Sequence, residues 1–258
     1  MLLAIDTGNT NTVFAVFDDA GHILGEWRAS TNANRTADET GVWLVQLLAI
    51  ENIARSAITH GIIATVVPAS LFSLRRMFRK YFDCQPLIVG APDVDTGVRV
   101  LLDRPEEVGA DRLVNAVATF IEYGGPKIIV DFGTATTFDV IDAGGSYLGG
   151  AIAPGVNLSL EALHMASAQL PRVAIGRPDR AIGKSTVQAM RSGVFWGYIG
   201  MIEGMIARIR AELGVPVGVI ATGGLATLFT ECSSALERSD PQLTLKGLYA
   251  IYLRNSRQ

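Results

Sequence analysis

Two stretches of the chain show the same pattern of apolar and polar positions. Residues 5–12 read IDTGNTNT and residues 130–137 read VDFGTATT, so an apolar run ends in Asp-x-Gly in both. The sequences GIIAT at 61–65 and GVIAT at 218–222 repeat in the same order. Because each match lies on an apolar, β-branched run of strand length, the pattern predicts two copies of one structural unit.

Both copies are expected to continue as a β-hairpin. Alternating apolar and polar residues on either side of a polar or glycine-rich turn are typical of this structure. The predicted strand, turn and strand are 12–17, 18–21 and 22–29 in the first copy, and 130–142, 143–145 and 147–152 in the second.

Helices and further strands complete each copy. Thr36 and Glu39 form a capping-box signature at the start of a helix over 36–50, and an amphipathic pattern predicts a long helix over 187–213. A short helix is expected over 225–232. Buried strands are predicted near 58–65 and 216–222. The alternation of strands and helices predicts an α/β protein.

The two copies meet near residues 123–127, where a Gly-Gly-Pro sequence ends a helix that begins at Asp111. Low-complexity sequence or a flexible linker is absent at this point of the chain. We therefore predict an N-terminal half, residues 1–123, and a C-terminal half, residues 124–258, packed with a cleft between them.

The composition restricts the class of protein. The 258 residues include 22 Lys or Arg and 25 Asp or Glu, a formal charge of −3, and 49% are hydrophobic. These values exclude a disordered chain and argue against a nucleic-acid or anionic-membrane surface. The first residues, MLLAID, lack the basic region of a signal peptide, and long uncharged apolar runs are absent. Cys84 and Cys232 have no framework spacing, which favours free thiols in the cytoplasm.

The two Asp-x-Gly sequences are candidate phosphate-binding loops. Gly8 and Gly133 allow successive backbone N–H groups to point the same way, a geometry that binds phosphate oxygens. Asp6 and Asp131 would repel phosphate directly, so they suggest a metal ion between carboxylate and phosphate. Ordinary turn chemistry is the alternative, and it would be preferred for a single copy. Further short donors are supplied by Asn9, Thr10, Thr12 and Thr134.

Two further glycine sequences are candidates for nucleotide binding. Gly223 and Gly224 follow a predicted strand and precede a helix, so they are either a simple turn or a surface on which an adenine ring could lie. Gly183-Lys184-Ser185 resembles the end of a P-loop, but Pro178 stands where that motif requires glycine.

The sequence Gly109-Ala110-Asp111-Arg112 precedes an apolar helical pattern. Asp111 could simply be the N-cap of that helix. Alternatively, an acid beside a base at a helix start could take a hydroxyl proton and stabilise a phosphoryl group in transfer. The residues alone leave both interpretations open.

Taken in order, these motifs resemble those of the type III pantothenate kinases, a family of the acetate and sugar kinase, heat-shock chaperone and actin superfamily. The matching motifs cover nearly the whole chain. They are DxGNTxT at 6–12, GADR at 109–112, DxGTAxT at 131–137, GGAIxPG at 149–155, KST at 184–186 and the glycine pair at 223–224.

The resemblance implies a duplicated actin-like, or ribonuclease H-like, α/β fold with mixed-sheet halves and a central cleft. It also implies ATP-dependent phosphorylation of pantothenate on its primary hydroxyl, the first step of coenzyme A biosynthesis. Asp111 would be the general base with Arg112 beside it, Asp131 would bind a monovalent cation, K⁺ or NH₄⁺, and Asp6 would position Mg²⁺.

The resemblance extends to the residues that contact each substrate. Pantothenate would be contacted by Leu102, Gly109, Ala110, Asp111, Arg112 and Thr186. ATP would be contacted by Asp6, Thr7, Gly8, Asn9, Thr10, Asn11, Thr12, Val13, Thr134, Gly223 and Gly224. Leu102 departs from the family pattern, which usually has tyrosine there, and this puts substrate affinity in question.

Two other functions remain open at this point. Some relatives in the superfamily bind nucleotide without turnover, but such a protein has no need of the base that Asp111 would provide. A kinase for another hydroxyl compound is favoured only by Leu102. Family members are typically homodimers, and the wide apolar stripe of the helix over 187–213 fits an interface, although a buried central helix is the alternative.

Overall fold

The computed structural model describes residues 1–166 and 170–256. The strands in these ranges are β1 (Leu2–Thr7), β2 (Asn11–Phe17), β3 (Ile23–Ser30), β4 (His60–Thr65), β5 (Pro86–Ile88), β6 (Lys127–Phe132), β7 (Ala135–Ile141), β8 (Tyr147–Pro154), β9 (Gly218–Gly223) and β10 (Arg238–Ser239). The α-helices are α1 (Ala37–Ile50), α2 (Pro68–Met77), α3 (Ala110–Tyr123), α4 (Val156–Met165), α5 (Thr186–Leu213), α6 (Ala226–Thr230) and α7 (Leu243–Ser256).

The strands form two five-stranded mixed sheets with the same topology in the described part of the chain. The first has the order β3-β2-β1-β4-β5 and the second the order β10-β9-β6-β7-β8. In each sheet the hairpin strands are antiparallel, while the later strands run parallel to the first one. The predicted duplicated actin-like fold is therefore confirmed.

Side chains alternate between the two faces of the first sheet, and each face has its own core. Leu3 and Ile5 of β1 belong to one cluster with residues of α1 and α2. Leu2 and Ala4 belong to a second cluster with residues of α3 and α7. The strand pattern is hydrophobic on both faces because helices cover both.

The second sheet packs against α5 and α6 on one face. Val130 of β6 lies in this core with Phe195 and Ile202 of α5 and Phe229 of α6. Most of the apolar stripe of α5 is therefore accounted for by its own sheet, while Val187 and Trp196 remain 39% and 36% exposed. None of the helices in the described ranges has the length and apolar character needed to cross a membrane.

The compact units do not follow a single division after residue 123. One unit contains residues 1–98, 103–118 and 243–258, and the other contains 99–102 and 119–242. Helix α7 belongs to the first unit because Leu245, Leu248 and Ile251 lie in the same core as Leu2 and Ala4. These contacts join distant parts of the chain. The local Gly-Gly-Pro sequence at 124–126 therefore gives no indication of them.

Candidate active site

The first Asp-x-Gly loop connects β1 and β2. Asp6 is half-buried near the end of β1, on the face of the sheet that Leu2 and Ala4 share. The backbone N–H of Gly8 donates to the carbonyl oxygen of Asn11 at 3.0 Å, which closes the loop. Asn9, Thr10 and Asn11 are exposed, so the tip of the loop faces solvent.

Thr7 and Thr12 lie opposite each other on the other face of this sheet. Their side chains are 1% and 7% exposed. The Thr12 hydroxyl is 2.9 Å from the hydroxyl of Thr31, which itself donates to the carbonyl oxygen of Gly8. Since a threonine has a single hydroxyl proton, Thr12 must be the donor to Thr31. That proton is then not available to a phosphate.

The second Asp-x-Gly loop connects β6 and β7. Asp131 lies one residue before the end of β6, and the N–H of Gly133 donates to the carbonyl oxygen of Ala135 at 3.0 Å. Thr134 is exposed at the tip. Asp131 is directly opposite Thr137 on β7 and Thr222 on β9. Val13 and Ala64 occupy the corresponding positions beside Asp6.

The glycine pair after β9 reaches the same place as Asp131. Gly223 has φ of +87°, and a Cβ at this position would lie 2.5 Å from Oδ1 of Asp131. Only glycine combines this backbone conformation with so close an approach. Gly224 is exposed, and a Cβ there would meet open space. The structure thus brings together Asp131 and Gly223, which belong to separate motifs in the sequence.

Asp111 is not the N-cap of α3, so that interpretation is wrong. The helix begins at Ala110, and the carbonyl oxygen of Gly109 accepts the N–H of Leu113 at 3.1 Å, which makes Gly109 the N-cap. Asp111 is in the first turn, where its Oδ1 accepts the N–H of Arg112 at 2.8 Å. Sequence patterns rarely locate a cap more closely than one or two residues.

The surroundings of Asp111 change its acidity. Burial raises the pKa of its carboxyl above the ordinary aspartate value, although the N–H and the guanidinium charge of Arg112 oppose that shift. A Cβ at Gly109 would lie 2.6 Å from Oδ1 of Asp111. The glycine therefore leaves the room that this carboxylate occupies, and a partly buried carboxylate with a raised pKa is typical of a general base.

Asp6 and Asp111 lie on the same side of the first sheet. Val114 and Val117 of α3 pack in one core with Leu2 and Ala4, which share a face with Asp6. The helix that carries Asp111 therefore covers the face on which Asp6 is found. This arrangement within one compact unit places the candidate base and one candidate phosphate loop on a common surface.

The remaining predicted pantothenate contacts are found in the second unit. Ser185 is the N-cap of α5 and accepts the N–H of Gln188 at 3.3 Å, so Thr186 is the exposed first residue of that helix. Leu102 is half-buried, and its Cδ2 would be 3.2 Å from a Cβ at Gly149. It follows a short segment that pairs with β8, in which the N–H of Leu101 donates to Tyr147.

Asp6 and Asp131 each offer a single carboxylate to a cation. Such a carboxylate suits a cation that is also bound by water, phosphate or other oxygen ligands. Over residues 1–166 and 170–256, groups of three or more His, Cys, Asp or Glu side chains able to hold a metal are absent. Mg²⁺ in kinases is usually held by one or two carboxylates, waters and the substrate phosphates, which a single carboxylate such as Asp6 fits. Asp131 with nearby hydroxyl oxygens fits a cation that accepts neutral oxygen ligands.

The chain is similar to proteins of a known family. Residues 2–208 match the family described as type III pantothenate kinase. A type III pantothenate kinase from Rhodospirillum rubrum is 64% identical over 256 residues, which are 99% of both chains.

Solved structures agree on the fold. One is a protein from Campylobacter jejuni described as a Baf family transcriptional activator, with a TM-score of 0.61, 18% identity, and coverage of 99% of this chain and 100% of the other. A second is described as a 2-dehydro-3-deoxygalactonokinase from Sinorhizobium meliloti, with a TM-score of 0.56, 15% identity, and coverage of 98% and 96%. At these identities the structural similarity concerns the fold alone.

Proposed function

The chain belongs to the type III pantothenate kinase family, and from this premise we infer that it transfers the γ-phosphoryl group of ATP to the primary hydroxyl of pantothenate, the first step of coenzyme A biosynthesis. The observation that carries this inference in the structure is the Asp111 carboxylate, which is half-buried in the first turn of α3 with a raised pKa. A protein that only binds nucleotide has no use for such a group.

We propose that Asp111 is the general base. Its carboxylate would accept the proton of the pantothenate hydroxyl while that oxygen forms a bond to the γ-phosphorus and the bond to the ADP oxygen breaks. A raised pKa favours this step, because a stronger base accepts the proton more readily near neutral pH. The guanidinium of Arg112 would stabilise negative charge on the transferring phosphoryl group.

The two glycine loops would hold ATP. The exposed residues 9–11 would contact phosphate oxygens on the first loop, with Asp6 positioning Mg²⁺. Thr134 would contact ATP on the second loop, and Gly223 and Gly224 would contact the adenosine. Bound Mg²⁺ would neutralise charge that develops on the phosphates. Asp131 would hold K⁺ or NH₄⁺.

Pantothenate would be contacted by Gly109, Ala110, Arg112 and Thr186, with Leu102 lining the pocket. Gly109 contributes in a second way, since it leaves space for the Asp111 carboxylate. Leucine offers only apolar contact at position 102, where the family usually has tyrosine. Leu102 would therefore weaken the binding of pantothenate without changing the phosphoryl transfer itself.

We also propose that the protein is a homodimer in the cytoplasm. Helix α4 packs on α5, where the Ser159 hydroxyl is 2.6 Å from that of Tyr198, and both helices carry exposed apolar side chains. Leu158 and Met165 are 52% and 78% exposed, so a second copy could cover them. Cys84 and Cys232 are free thiols, as expected in a reducing compartment.

Two measurements test these proposals. The purified protein should convert pantothenate and ATP to phosphopantothenate and ADP in the presence of Mg²⁺ and K⁺, as followed by a coupled assay and mass spectrometry of the product. Tight nucleotide binding without product would contradict the kinase proposal. Light scattering at micromolar concentration should give twice the mass of 27.5 kDa, and a monomeric mass would contradict the dimer.

A further inference from the structure

Thr31 follows β3 and makes three hydrogen bonds to the first glycine loop. Its backbone N–H donates to the carbonyl oxygen of Thr10 at 2.9 Å, and its hydroxyl donates to the carbonyl oxygen of Gly8 at 2.7 Å. The same hydroxyl accepts the proton of Thr12 at 2.9 Å. No sequence motif singled this residue out, because it lies outside the Asp-x-Gly stretch.

These bonds fix the orientation of two peptide planes. A trans peptide is planar, so the N–H of each plane points away from the carbonyl oxygen of the same plane. Because the carbonyl groups of Gly8 and Thr10 both point to Thr31, the N–H groups of Asn9 and Asn11 both point away from it. Backbone N–H groups directed to one side of a loop favour an anion on that side.

We propose that Thr31 is a positioning residue that holds the first loop in its phosphate-binding shape. It acts through the backbone of residues 8–11 and does not itself touch ATP. This inference rests on the proposed function, because it takes phosphate binding by that loop as its starting point.

The second loop is held in another way, which makes the role of Thr31 specific to the first. Gly155 follows β8 and its N–H donates to the carbonyl oxygen of Thr134 at 3.1 Å. A Cβ at Gly155 would overlap the carbonyl oxygen of Thr134, so a threonine cannot fit there. Close backbone packing replaces the hydroxyl contacts at this loop.

Thr31→Val tests the proposal, since it retains the shape of the side chain and removes only the hydroxyl. We expect the KM for ATP to rise about tenfold, the effect of losing about one hydrogen bond's contribution, and the KM for pantothenate to stay within about twofold. Thr31→Ser should restore the KM for ATP, because the serine hydroxyl can make the same bonds.

Thr40→Val is the matched control. Thr40 is buried in α1 and lines the same small cavity as Thr31, but its hydroxyl donates to the carbonyl oxygen of Thr36 at 3.2 Å and not to the loop. This variant should lose thermal stability to a similar degree as Thr31→Val and keep the wild-type KM for ATP. Equal KM values for ATP in the two valine variants, or a serine variant that behaves like valine, would overturn the proposal.

Failure of the proposed function can be told apart from failure of this inference. If the wild-type protein makes no phosphopantothenate, the kinase proposal fails. Binding of a fluorescent ATP analogue to wild type, Thr31→Val and Thr40→Val still tests the loop. Only Thr31→Val should bind the analogue more weakly, and unchanged binding would count against a positioning role.

Discussion

The two Asp-x-Gly loops share a sequence pattern, yet they are built differently. In the first, Thr7 pairs with Thr12 across the hairpin and residues 8–11 form the connection. In the second, Phe132 pairs with Thr136 and residues 133–135 form it. The second loop is therefore one residue tighter, although the motifs align in the sequence without a gap.

This difference of one residue changes the neighbours of each carboxylate. A shift of one residue in strand register exchanges the side chains on the two faces of a sheet. On the hairpin side, Asp6 consequently has Val13 beside it, whereas Asp131 has Thr137. On the other side, a shift of one residue in the parallel pairing places Ala64 beside Asp6 and Thr222 beside Asp131. The hydroxyl proton of Thr137 goes to Oδ2 of Asp139 at 2.9 Å, which leaves lone pairs on its oxygen.

The comparison indicates a division of roles between the two copies. Oxygen-rich surroundings favour direct cation binding at Asp131, while apolar neighbours at Asp6 favour a carboxylate that positions Mg²⁺ through its water ligands and phosphates. Asp111, the proposed base, lies with Asp6 in the first unit. The first copy would therefore supply the chemistry and the second a cation and the adenosine site.

The largest effect on turnover is expected for a substitution of Asp111, because Asp111 belongs to the copy that would supply the chemistry. Asp111→Asn should lower kcat by about 10²–10⁴, the usual effect of losing a positioned base. The amide oxygen can still accept the N–H of Arg112, so the start of α3 should be retained. Steady-state kinetics would show the loss, and a variant with near wild-type kcat would remove Asp111 from its role as base.

The pH dependence of stability supplies the control for this variant. The raised pKa means that the folded state favours the protonated carboxyl, so the contribution of Asp111 to stability declines as the pH rises through that pKa. Asparagine cannot ionise. The melting temperature of Asp111→Asn should therefore equal or exceed that of wild type at neutral pH, and the difference should shrink at acidic pH. The acid limb of wild-type kcat/KM should lie above the ordinary aspartate range.

The next effect tests the assignment of the two cations. Asp131→Asn should raise the KM for ATP by about 10- to 100-fold and abolish stimulation by K⁺ or NH₄⁺, because removing one charged contact has an effect of that order. Replacing K⁺ with Tris should impair wild type in the same way. Activity would be measured while each cation is titrated separately.

Asp6→Asn is the matched partner of that variant. It should weaken the response to Mg²⁺ and leave the ratio of activities with and without K⁺ unchanged. If Asp6→Asn abolishes the K⁺ response and Asp131→Asn does not, the proposed division of roles is reversed.

Local signals explain why much of the fold could be predicted. The capping box is present, with the Thr36 hydroxyl accepting from Glu39 and the Glu39 carboxylate accepting from Thr36. The first hairpin and α5 lie close to their predicted positions, whereas the single strand predicted over 130–142 is wrong, because the second Asp-x-Gly loop divides this range between β6 and β7. Each of these features is specified by residues near one another in the chain, which is where periodicity and turn chemistry are informative.

Features that depend on distant contacts were not predicted. Helix α7 joins the first unit through a core with β1, and Gly223 meets Asp131 through parallel pairing of β9 with β6. The tighter second loop is also invisible in the sequence, because aligned motifs do not report strand register. Thr31 was missed for the same reason, since its importance comes from a strand that returns to the loop.

The smallest effect is expected at Leu102, and it tests the predicted contact of this residue with pantothenate. Tyrosine would add a hydroxyl and a ring face to a position where leucine offers only apolar contact. Leu102→Tyr should lower the KM for pantothenate by up to about tenfold with little change in kcat, because one neutral hydrogen bond contributes that much and Asp111 is untouched.

Leu102→Met, which keeps an apolar side chain of similar volume, should leave the KM for pantothenate near the wild-type value. A change in the KM for ATP instead would place Leu102 in the nucleotide site. If wild type phosphorylates another hydroxyl compound and not pantothenate, Leu102 marks a change of substrate.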